Sequence, residues 1–248
     1  LLFGDGDVNV FLHNNDKQIQ DEVKRICLTV FGVNSTLRIS EKCPRIDLRL
    51  GLAFTKILSI LFNYPLSNKS GNIRFPSLIQ KLPKNVISEF ISGYFDTDGS
   101  VGVGHPISVS SKSKLFIEEL QFVLIRFGCL STIFKKDVYF KGKVFPQYIL
   151  NVNGSLSTKN FKENLGFKLL NKQETLNKFS LNSNLSLKFD YLPYGNIKVA
   201  ADRKSYLQLE NNNVLIQQFF QQEIYFNQLK NKREIENLDG YVFDFSVY

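Results

Sequence analysis

Two aspartate–glycine pairs, Asp5-Gly6 and Asp98-Gly99, are the residues of this sequence whose types and spacing most favour chemistry. Each pair follows apolar residues typical of a helix end, in the stretches LLFGDG and ISGYFDTDG. The C-terminal end of a helix is partly negative, so a carboxylate there is disfavoured by roughly 0.3–1 kcal/mol. A cation reverses this preference, and carboxylate and carbonyl oxygens suit a hard ion such as Mg²⁺. The alternative is that both aspartates only start turns, but their repetition favours a metal site.

The elements around the two pairs also occur in a repeated order. In the first half, the alternating stretch VNVFLHNN precedes an amphipathic helix that ends at Gly32, two strands around Cys43-Pro44 and a helix in GLAFTKILSILFN. In the second half, HPISVSSKSK precedes the helix KLFIEELQFVLIRFG, the strands of STIFKKDVYFKGKVFPQYILNVNG and the short helix STKNFKENLGF. The pattern predicts two repeats of about 95 residues, the second beginning near residue 90. If the two aspartate-bearing helices pack together, the small residues Ser92 and Gly93 would permit their approach.

Composition restricts the partners and the compartment. The chain has 248 residues, a net charge of +8 and a pI near 9.3, which suits a polyanion, although self-repulsion in solution is the alternative. Its three cysteines and two histidines are not spaced as zinc ligands, and sparse cysteine suits a reducing, intracellular location. No stretch is apolar for long enough to span a membrane. The absence of methionine, even at position 1, predicts a piece of a longer product.

The second aspartate stretch, ISGYFDTDG, resembles the LAGLIDADG motif of the dodecapeptide homing endonucleases. The opening LLFGDG resembles the last part of a first copy of that motif, with its leading residues missing. The separation of Asp5 from Asp98 is typical of the single-chain members with two motifs. VSSKSKLFIEELQFVLIRFG is similar to the segment after the second motif in members carried by inteins. The resemblance covers roughly residues 1–190.

This resemblance implies an α+β fold of two αββαββα repeats related by a pseudo-twofold axis. The motif helices would form the interface, and each repeat would offer a saddle-shaped antiparallel sheet to DNA. The expected domains are residues 1–89, residues 90–188, and a linker and C-terminal segment over residues 189–248. The tail GYVFDFSVY resembles the penultimate splicing block of inteins, which implies a Hint-like β segment; a single edge strand is the alternative.

The resemblance also implies the catalytic residues. Asp5 and Asp98 would hold Mg²⁺ or Mn²⁺, with the carbonyls of Gly4 and Thr97 as further ligands. Members of the family often place a basic residue near each site, and the candidates are Lys69 and Arg74 in the first repeat and Lys168 and Lys172 in the second. Many relatives have a lysine where this chain has Ile73, three positions before Pro76, so the first basic residue departs from the pattern. Asp7, Asp96 and Lys159 are interpreted as structural or surface residues.

Alternation of side chains predicts which residues face DNA. In RIDLRL, apolar residues share one face of a strand and charged residues share the other, which is either a solvated surface or one that reads bases. QYILNVNG places amides on one face, and amides can contact adenine. Nearby lysines could contact phosphates. The full set of candidates is Arg38, Arg45, Asp47, Arg49, Lys135, Lys136, Lys141, Lys143, Gln147, Asn151 and Asn153.

The function implied is site-specific cleavage of double-stranded DNA by the endonuclease domain of an intein. The expected partners are a DNA target site and the host protein exteins of the precursor, with no membrane partner. A monomer with internal pseudo-symmetry is expected. Two alternatives stay open at this point: an inactive nucleic-acid-binding relic, and an intron-encoded RNA maturase of the same fold. Because both acidic motif positions are filled, the sequence favours an active enzyme.

Overall fold

The computed structural model describes residues 1–9, 11–39, 44–102, 105–140 and 142–178. The chain divides after Ser186 into two units, and all described residues belong to the first, Leu1–Ser186. The predicted boundary between residues 188 and 189, and the C-terminal segment with GYVFDFSVY, lie outside the described residues.

The first half of this unit contains five helices and three short strands within the described ranges. In chain order they are α1 (Leu2–Asp5), β1 (Phe11–His13), α2 (Lys17–Phe31), β2 (Thr36–Arg38), β3 (Arg45–Asp47), α3 (Gly51–Phe62), α4 (Lys69–Asn72) and α5 (Ser77–Gln80). The strands form an antiparallel sheet in the order β1-β3-β2. An isolated bridge between Gly6 and Leu12 stands where the family pattern has a further strand.

The second half follows the αββαββα order and adds one helix. Its elements are α6 (Lys84–Asp98), β4 (Gly99–Gly102), β5 (His105–Ser111), α7 (Lys114–Ile125), β6 (Ser131–Phe140), β7 (Lys143–Val152), α8 (Gly154–Asn164) and α9 (Leu170–Lys178). The four strands pair antiparallel in the order β4-β5-β7-β6. The predicted α+β class with antiparallel sheets is confirmed. Helix α6 begins at Lys84, so the domain boundary predicted at residues 89 and 90 falls inside it.

The helices that cover the sheets have local reasons to begin and end where they do. The Asp16 carboxylate caps α2 by accepting the backbone N–H of Gln18, and Gly32 ends α2 in the left-handed conformation. The Ser113 hydroxyl caps α7 in the same way through Phe116. Both helices bury one apolar stripe. No helix within the described ranges is long and apolar enough to cross a membrane.

The central helix α6 carries the core of the unit. Ile87, Ile91, Tyr94 and Phe95 are each 2% exposed or less, and their spacing places them on one continuous buried face of the helix. The Phe95 ring packs edge-on against Phe161 of α8, and Tyr94 and other rings pack towards α7. Helix α1 packs directly on α6. This arrangement fixes where the C-terminal end of α6 lies.

Several local features differ from the sequence prediction. Strand β3 ends at Asp47, and Arg49 has a φ of 54°, so Arg49 leaves the strand that RIDLRL was expected to form. The short helices α4 and α5 and helix α9 were not predicted, and strand β4 was implied only by the αββαββα pattern of the family. Helix α7 ends at Ile125, and a turn carries the chain to Gly128. Short elements with few apolar residues give weak periodicity, which is why they escaped prediction.

Candidate active site

The two aspartates lie at helix ends with the same geometry. Asp5 is the last residue of α1 and Asp98 the last of α6, and the next N–H, of Gly6 or Gly99, bonds to the carbonyl four residues earlier. Both glycines are extended, with φ and ψ of −75° and 159° for Gly6 and −83° and 155° for Gly99. A Cβ at Gly6 or Gly99 would lie 2.4 or 2.3 Å from that carbonyl oxygen. The glycines are therefore needed for this close approach to the carbonyl, and not for a left-handed helix end.

The close approach of α1 to α6 depends on Gly4. A Cβ at Gly4 would lie 1.9 Å from the Thr97 Oγ1 and 3.0 Å from an Asp98 carboxylate oxygen, so no side chain fits there. Gly93 also faces α1, since a Cβ there would lie 3.3 Å from the Leu1 backbone nitrogen. Ser92 does not belong to this contact, because its buried hydroxyl donates to the Leu165 carbonyl. Gly4, which sequence reasoning proposed only as a metal ligand, is thus the tightest point between the helices.

The two carboxylates influence each other in a partly buried environment. Burial, and next the charge of Asp5, raise the pKa of Asp98 to about 6. The Asn14 side-chain amide donates a hydrogen bond to the Asp5 carboxylate. Tyr94 lies beside Asp98, and burial, followed by the Asp98 charge, raises the pKa of the Tyr94 hydroxyl. A carboxylate of raised pKa beside another carboxylate is a common mark of a functional site.

Each helix end also receives a half-buried lysine. The Lys69 ammonium donates to the carbonyls of Gly4 and Gly6, the latter at 2.6 Å. The Lys172 ammonium donates to the carbonyls of Phe95, Asp96 and Gly99 at 3.1, 2.7 and 2.7 Å. Gly6 and Gly99 are equivalent, so the two lysines hold equivalent positions.

Burial changes the proton affinity of both lysines. It lowers the pKa of Lys69 to about 8, although Asp98 and Asp5 oppose the shift. Burial also lowers the pKa of Lys172, opposed first by Asp96. Both lysines complement the negative ends of their helices.

The other two basic candidates lie elsewhere. The Arg74 guanidinium pairs with Glu119, and the Lys168 ammonium pairs with Glu89 at 2.8 Å, both at the surface. Ile73, where relatives have lysine, is buried, and its carbonyl accepts from the Ser113 hydroxyl. Among the candidates, the structure brings only Lys69 and Lys172 to the helix ends.

Two other acidic residues have the structural partners that were expected. Asp96 is 4% exposed, and its carboxylate accepts the backbone N–H groups of Lys168 and Leu169 at 3.0 and 3.2 Å. The Asp7 carboxylate accepts the N–H groups of Asn9 and Phe11, which shapes the turn after α1.

Oxygen atoms dominate this site, and oxygen donors suit a hard divalent cation. The residues that could hold one are Asp5 and Asp98, with the carbonyls of Gly4 and Thr97 as the predicted further ligands; the Gly4 carbonyl already accepts a bond from Lys69. Across the described ranges, no group of three or more His, Cys, Asp or Glu side chains forms a conventional metal cluster.

The sheet of the first half presents a charged open face. Its cross-strand register puts Leu12, Leu37 and Ile46 towards the core, and the alternate positions on the opposite face. That face carries Phe11, His13, Thr36, Arg38, Arg45 and Asp47. Arg38 pairs with Asp47 at 3.5 Å, and Arg45 lies 4.2 Å above the Phe11 ring.

The sheet of the second half presents amide and apolar groups. Leu150 and Val152 of β7 face the core, and the register with β5 and β6 defines the open side. That side carries Ser108, Ser110, Thr132, Phe134, Lys136, Val138, Lys143, Phe145, Gln147, Ile149 and Asn151. Phe134 is 46% exposed, and the Gln147 amide donates to the Ser110 hydroxyl at 2.8 Å.

The lysines predicted to contact DNA divide between the two sides of this sheet. Lys136 pairs across the strands with Gln147 and lies on the open face, whereas Lys135 pairs with Tyr148 on the opposite face. Lys112, which was not predicted, lies 4.7 Å from the Phe145 ring centre on the open face. Asn153 follows β7, and its amide donates to Thr132. Lys141 lies outside the described residues.

Comparisons with known proteins agree with this architecture. Residues 85–166 match the family described as the LAGLIDADG-like domain. The chain is 38% identical over 192 residues to the probable translation initiation factor IF-2 of Methanocaldococcus jannaschii, covering 76% of this chain and 16% of that protein. It is 37% identical over 179 residues to elongation factor 2 of Methanopyrus kandleri, covering 72% of this chain and 13% of that protein. The chain thus spans less than a fifth of each relative's length.

Two solved structures of the homing endonuclease I-DmoI are also similar. Mesophilic variants of I-DmoI match with a TM-score of 0.47 and 14% identity, over 66% of this chain and 90% of theirs. I-DmoI in complex with DNA and Mn matches with a TM-score of 0.43 and 16% identity, over 65% of this chain and 82% of that one. The family match covers helix α6, which ends at the Asp98 site described above, and the elements that follow it as far as residue 166. This chain therefore contains a LAGLIDADG-like domain, at residues 85–166.

Proposed function

We propose that this chain is the endonuclease part of an intein and cleaves double-stranded DNA at a specific site, with Asp5 and Asp98 at two equivalent catalytic centres. One observation carries the proposal. Two helix ends of the same geometry bring Asp5 and Asp98 side by side, and each end receives a half-buried lysine. Such duplication has no purpose in a simple turn, but it matches a substrate with two equivalent strands.

The carboxylates supply the negative charge that a divalent cation needs. We propose that Asp5 and Asp98, with the carbonyls of Gly4 and Thr97, hold Mg²⁺ or Mn²⁺. When bound, the metal would activate water and stabilise the leaving oxygen of a phosphodiester. The raised pKa of Asp98, about 6, fits this assignment, because a cation relieves the cost of keeping two carboxylates charged side by side.

The protein's own side chains would position the reacting groups. Asn14 orients the Asp5 carboxylate through its amide. Lys69 and Lys172, fixed by carbonyls, would place positive charge near the phosphate as negative charge develops. With the pKa of Lys69 lowered to about 8, this ammonium loses its proton more readily than a surface lysine and can exchange one with solvent.

The open faces of the two sheets would bind the two halves of the target. Strands β6 and β7 are each 10 residues long. At about 3.3 Å per residue, such a strand follows roughly ten base pairs of its half-site. Because duplex strands are antiparallel, two equivalent centres would each cut one strand.

The chemistry of the two faces differs, and the half-sites should differ with it. Arginine and aspartate on the first face suit guanine and cytosine. Asparagine and glutamine on the second face suit adenine, and Phe134 and Ile149 suit thymine methyl groups.

The intein context rests on the kinds of protein that share this segment. Relatives include two translation factors, one for initiation and one for elongation, and an aminotransferase, so the segment occurs in proteins of different function. The matching region occupies 13–16% of each. A mobile insertion would account for a short segment shared by proteins of different function. The parts of each host protein on either side of the insertion would then be its exteins.

A selection from random DNA tests the proposed function. The 248-residue chain with Mg²⁺ would be incubated with a plasmid library carrying a randomised duplex, and the cut ends would be captured and sequenced. We expect one long enriched site, no cutting in EDTA, and affinity that falls steeply with salt as counterions are released. Tight binding without cutting would favour the inactive relic, and preference for RNA would favour the maturase.

A further inference from the structure

Tyr64 is a buried residue whose hydroxyl reaches the turn that carries Asp5. It follows α3, is 1% exposed, and donates to the carbonyls of Leu2 at 3.2 Å and Asp7 at 2.9 Å. These two carbonyls lie on either side of Asp5 in the chain. The same loop continues to Lys69, whose ammonium binds the carbonyls of Gly4 and Gly6. Tyr64 and Lys69 therefore hold the same helix end from one loop.

In the second half of the molecule, a different side chain anchors the corresponding helix end. Asn68-Lys69 aligns with Asn171-Lys172, and this alignment places Tyr64 opposite Phe167, which has no hydroxyl. The alignment of Asp5 with Asp98 places Phe3 opposite Asp96. The Tyr64 ring packs edge-on against Phe3, with ring centres 5.2 Å apart.

The two halves differ in which segment supplies the side chain of this hydrogen bond and which supplies the backbone groups. In the first half, the Tyr64 side chain, in the segment before Lys69, donates to backbone carbonyls of α1 and of the turn that follows it. In the second half, the Asp96 side chain of α6 accepts the backbone N–H groups of Lys168 and Leu169, in the segment before α9. Each arrangement joins the segment that leads into the lysine-bearing helix, α4 or α9, to the helix end that carries the aspartate.

We propose that Tyr64 is a positioning residue for the Asp5 centre alone, and that Asp96 is its counterpart for the Asp98 centre. The proposal rests on the proposed function, and it adds that the two centres can be disturbed separately. Loss of the Tyr64 hydroxyl leaves two carbonyls without this donor, so the helix end and Lys69 can shift relative to each other. A shift of about 1 Å in a catalytic group can cost on the order of 10²-fold in rate. The Asp98 centre keeps its own anchor and should not be affected.

The test compares the cutting of the two strands in one reaction. The selected duplex is labelled with a different dye on each strand, and single-turnover rates are measured for the parent, Tyr64→Phe and Lys69→Met. The strand that Lys69→Met slows more identifies the Asp5 centre. We expect Tyr64→Phe to slow that strand roughly 10–100-fold and the other less than about twofold. The ratio of the two rates is insensitive to any unfolded fraction, because both strands are cut by the same folded molecules.

Two further variants complete the design. Asp96→Leu, which is similar in size but removes the oxygen that accepts the Lys168 and Leu169 N–H groups, should slow the opposite strand and so supplies an answer even if Tyr64→Phe folds poorly. Tyr148→Phe is the matched control, since Tyr148 packs on the core side of the sheet and should leave both rates unchanged. Equal slowing of both strands by Tyr64→Phe, or no slowing of either, would overturn the proposal. A parent protein that cuts neither strand would instead contradict the proposed function.

Discussion

The two halves of this molecule keep the same helix ends but carry different sheets. At the helix ends, Gly6 and Gly99 share one backbone conformation, and Lys69 and Lys172 each donate to the carbonyl of the equivalent glycine. The strands of the first sheet are three residues long and present charged groups, whereas β6 and β7 are ten residues long and present amides and apolar groups. The geometry of the helix ends is thus the same in both halves, whereas the length and side chains of the sheets differ.

The difference has a physical basis. The catalytic centres proposed here would require atoms placed within a fraction of an ångström, which accounts for the same helix packing and glycines in both halves. An open sheet face only has to match the donor, acceptor and methyl pattern of its own half-site, and each exposed side chain can change without disturbing the core.

The largest effect should come from the lysines at the helix ends. Lys69→Met and Lys172→Met each remove one fixed charge from one centre, and each should slow its own strand by roughly 10²–10³-fold, as loss of one transition-state donor typically does. Nicked product that retains opposite strands in the two variants would confirm the duplication. Identical loss of both strands in each variant would show that the centres do not act separately. Lys168→Met, at the surface beside Glu89, is the control and should cut normally.

The helix contact can be tested through stability. Gly4→Ala should lower the free energy of unfolding by roughly 1–3 kcal/mol, because the new Cβ would overlap Thr97. The same change at Gly93 meets a contact of 3.3 Å and should cost less. Urea unfolding of both variants measures the difference. Adding Thr97→Gly to Gly4→Ala restores space and should recover part of the loss; equal stability of Gly4→Ala and the parent would contradict the close contact.

The repulsion between the carboxylates predicts a pH dependence without metal. The pKa of Asp98 is raised from 3.8 to about 6 in the folded state, so its contribution to stability is present below pH 4 and is lost as the pH rises through 6. Asp98→Asn removes this loss. In EDTA the variant should be more stable than the parent by up to roughly 2 kcal/mol at pH 8, with the difference vanishing near pH 4. Thermal melts at the two pH values measure it, and a stability difference that does not change with pH would refute the electrostatic explanation.

The smallest predicted effect sharpens the comparison of the sheets. Lys136 and Lys135 are neighbours in β6 but lie on opposite faces. Lys136→Ala should weaken DNA binding and reduce the slope of log affinity against log salt by about 1, because one phosphate contact is lost. Lys135→Ala, whose partner is Asp137, should leave the slope unchanged. Titrations over a salt series measure both, and equal slopes for the two variants would place the DNA elsewhere.

The sequence predicted the features that depend on repetition and periodicity. The repeated aspartate–glycine pair identified both helix ends, and the apolar stripes identified α2, α6 and α7. It did not reveal why Gly6 is glycine, because the contact with the Leu2 carbonyl exists only in the folded turn. Tyr64 was missed because its partners are backbone carbonyls distant in the chain, although the repeated Asn-Lys pair marked the loop. Arg74 and Lys168 had the right charge, but tertiary partners outside the site hold them at the surface.

One measurement tests the central claim most directly: the cleavage and binding of the selected duplex by Asp98→Asn in Mg²⁺. The substitution keeps the shape of the side chain but removes the charge needed beside Asp5. We predict that double-strand cleavage falls below detection, with at most a nick left in one strand, while the dissociation constant measured in Ca²⁺ stays within about threefold of the parent's, which is less than about 1 kcal/mol. Cleavage by Asp98→Asn at the parent's rate would show that these helix ends are not the centre of the reaction.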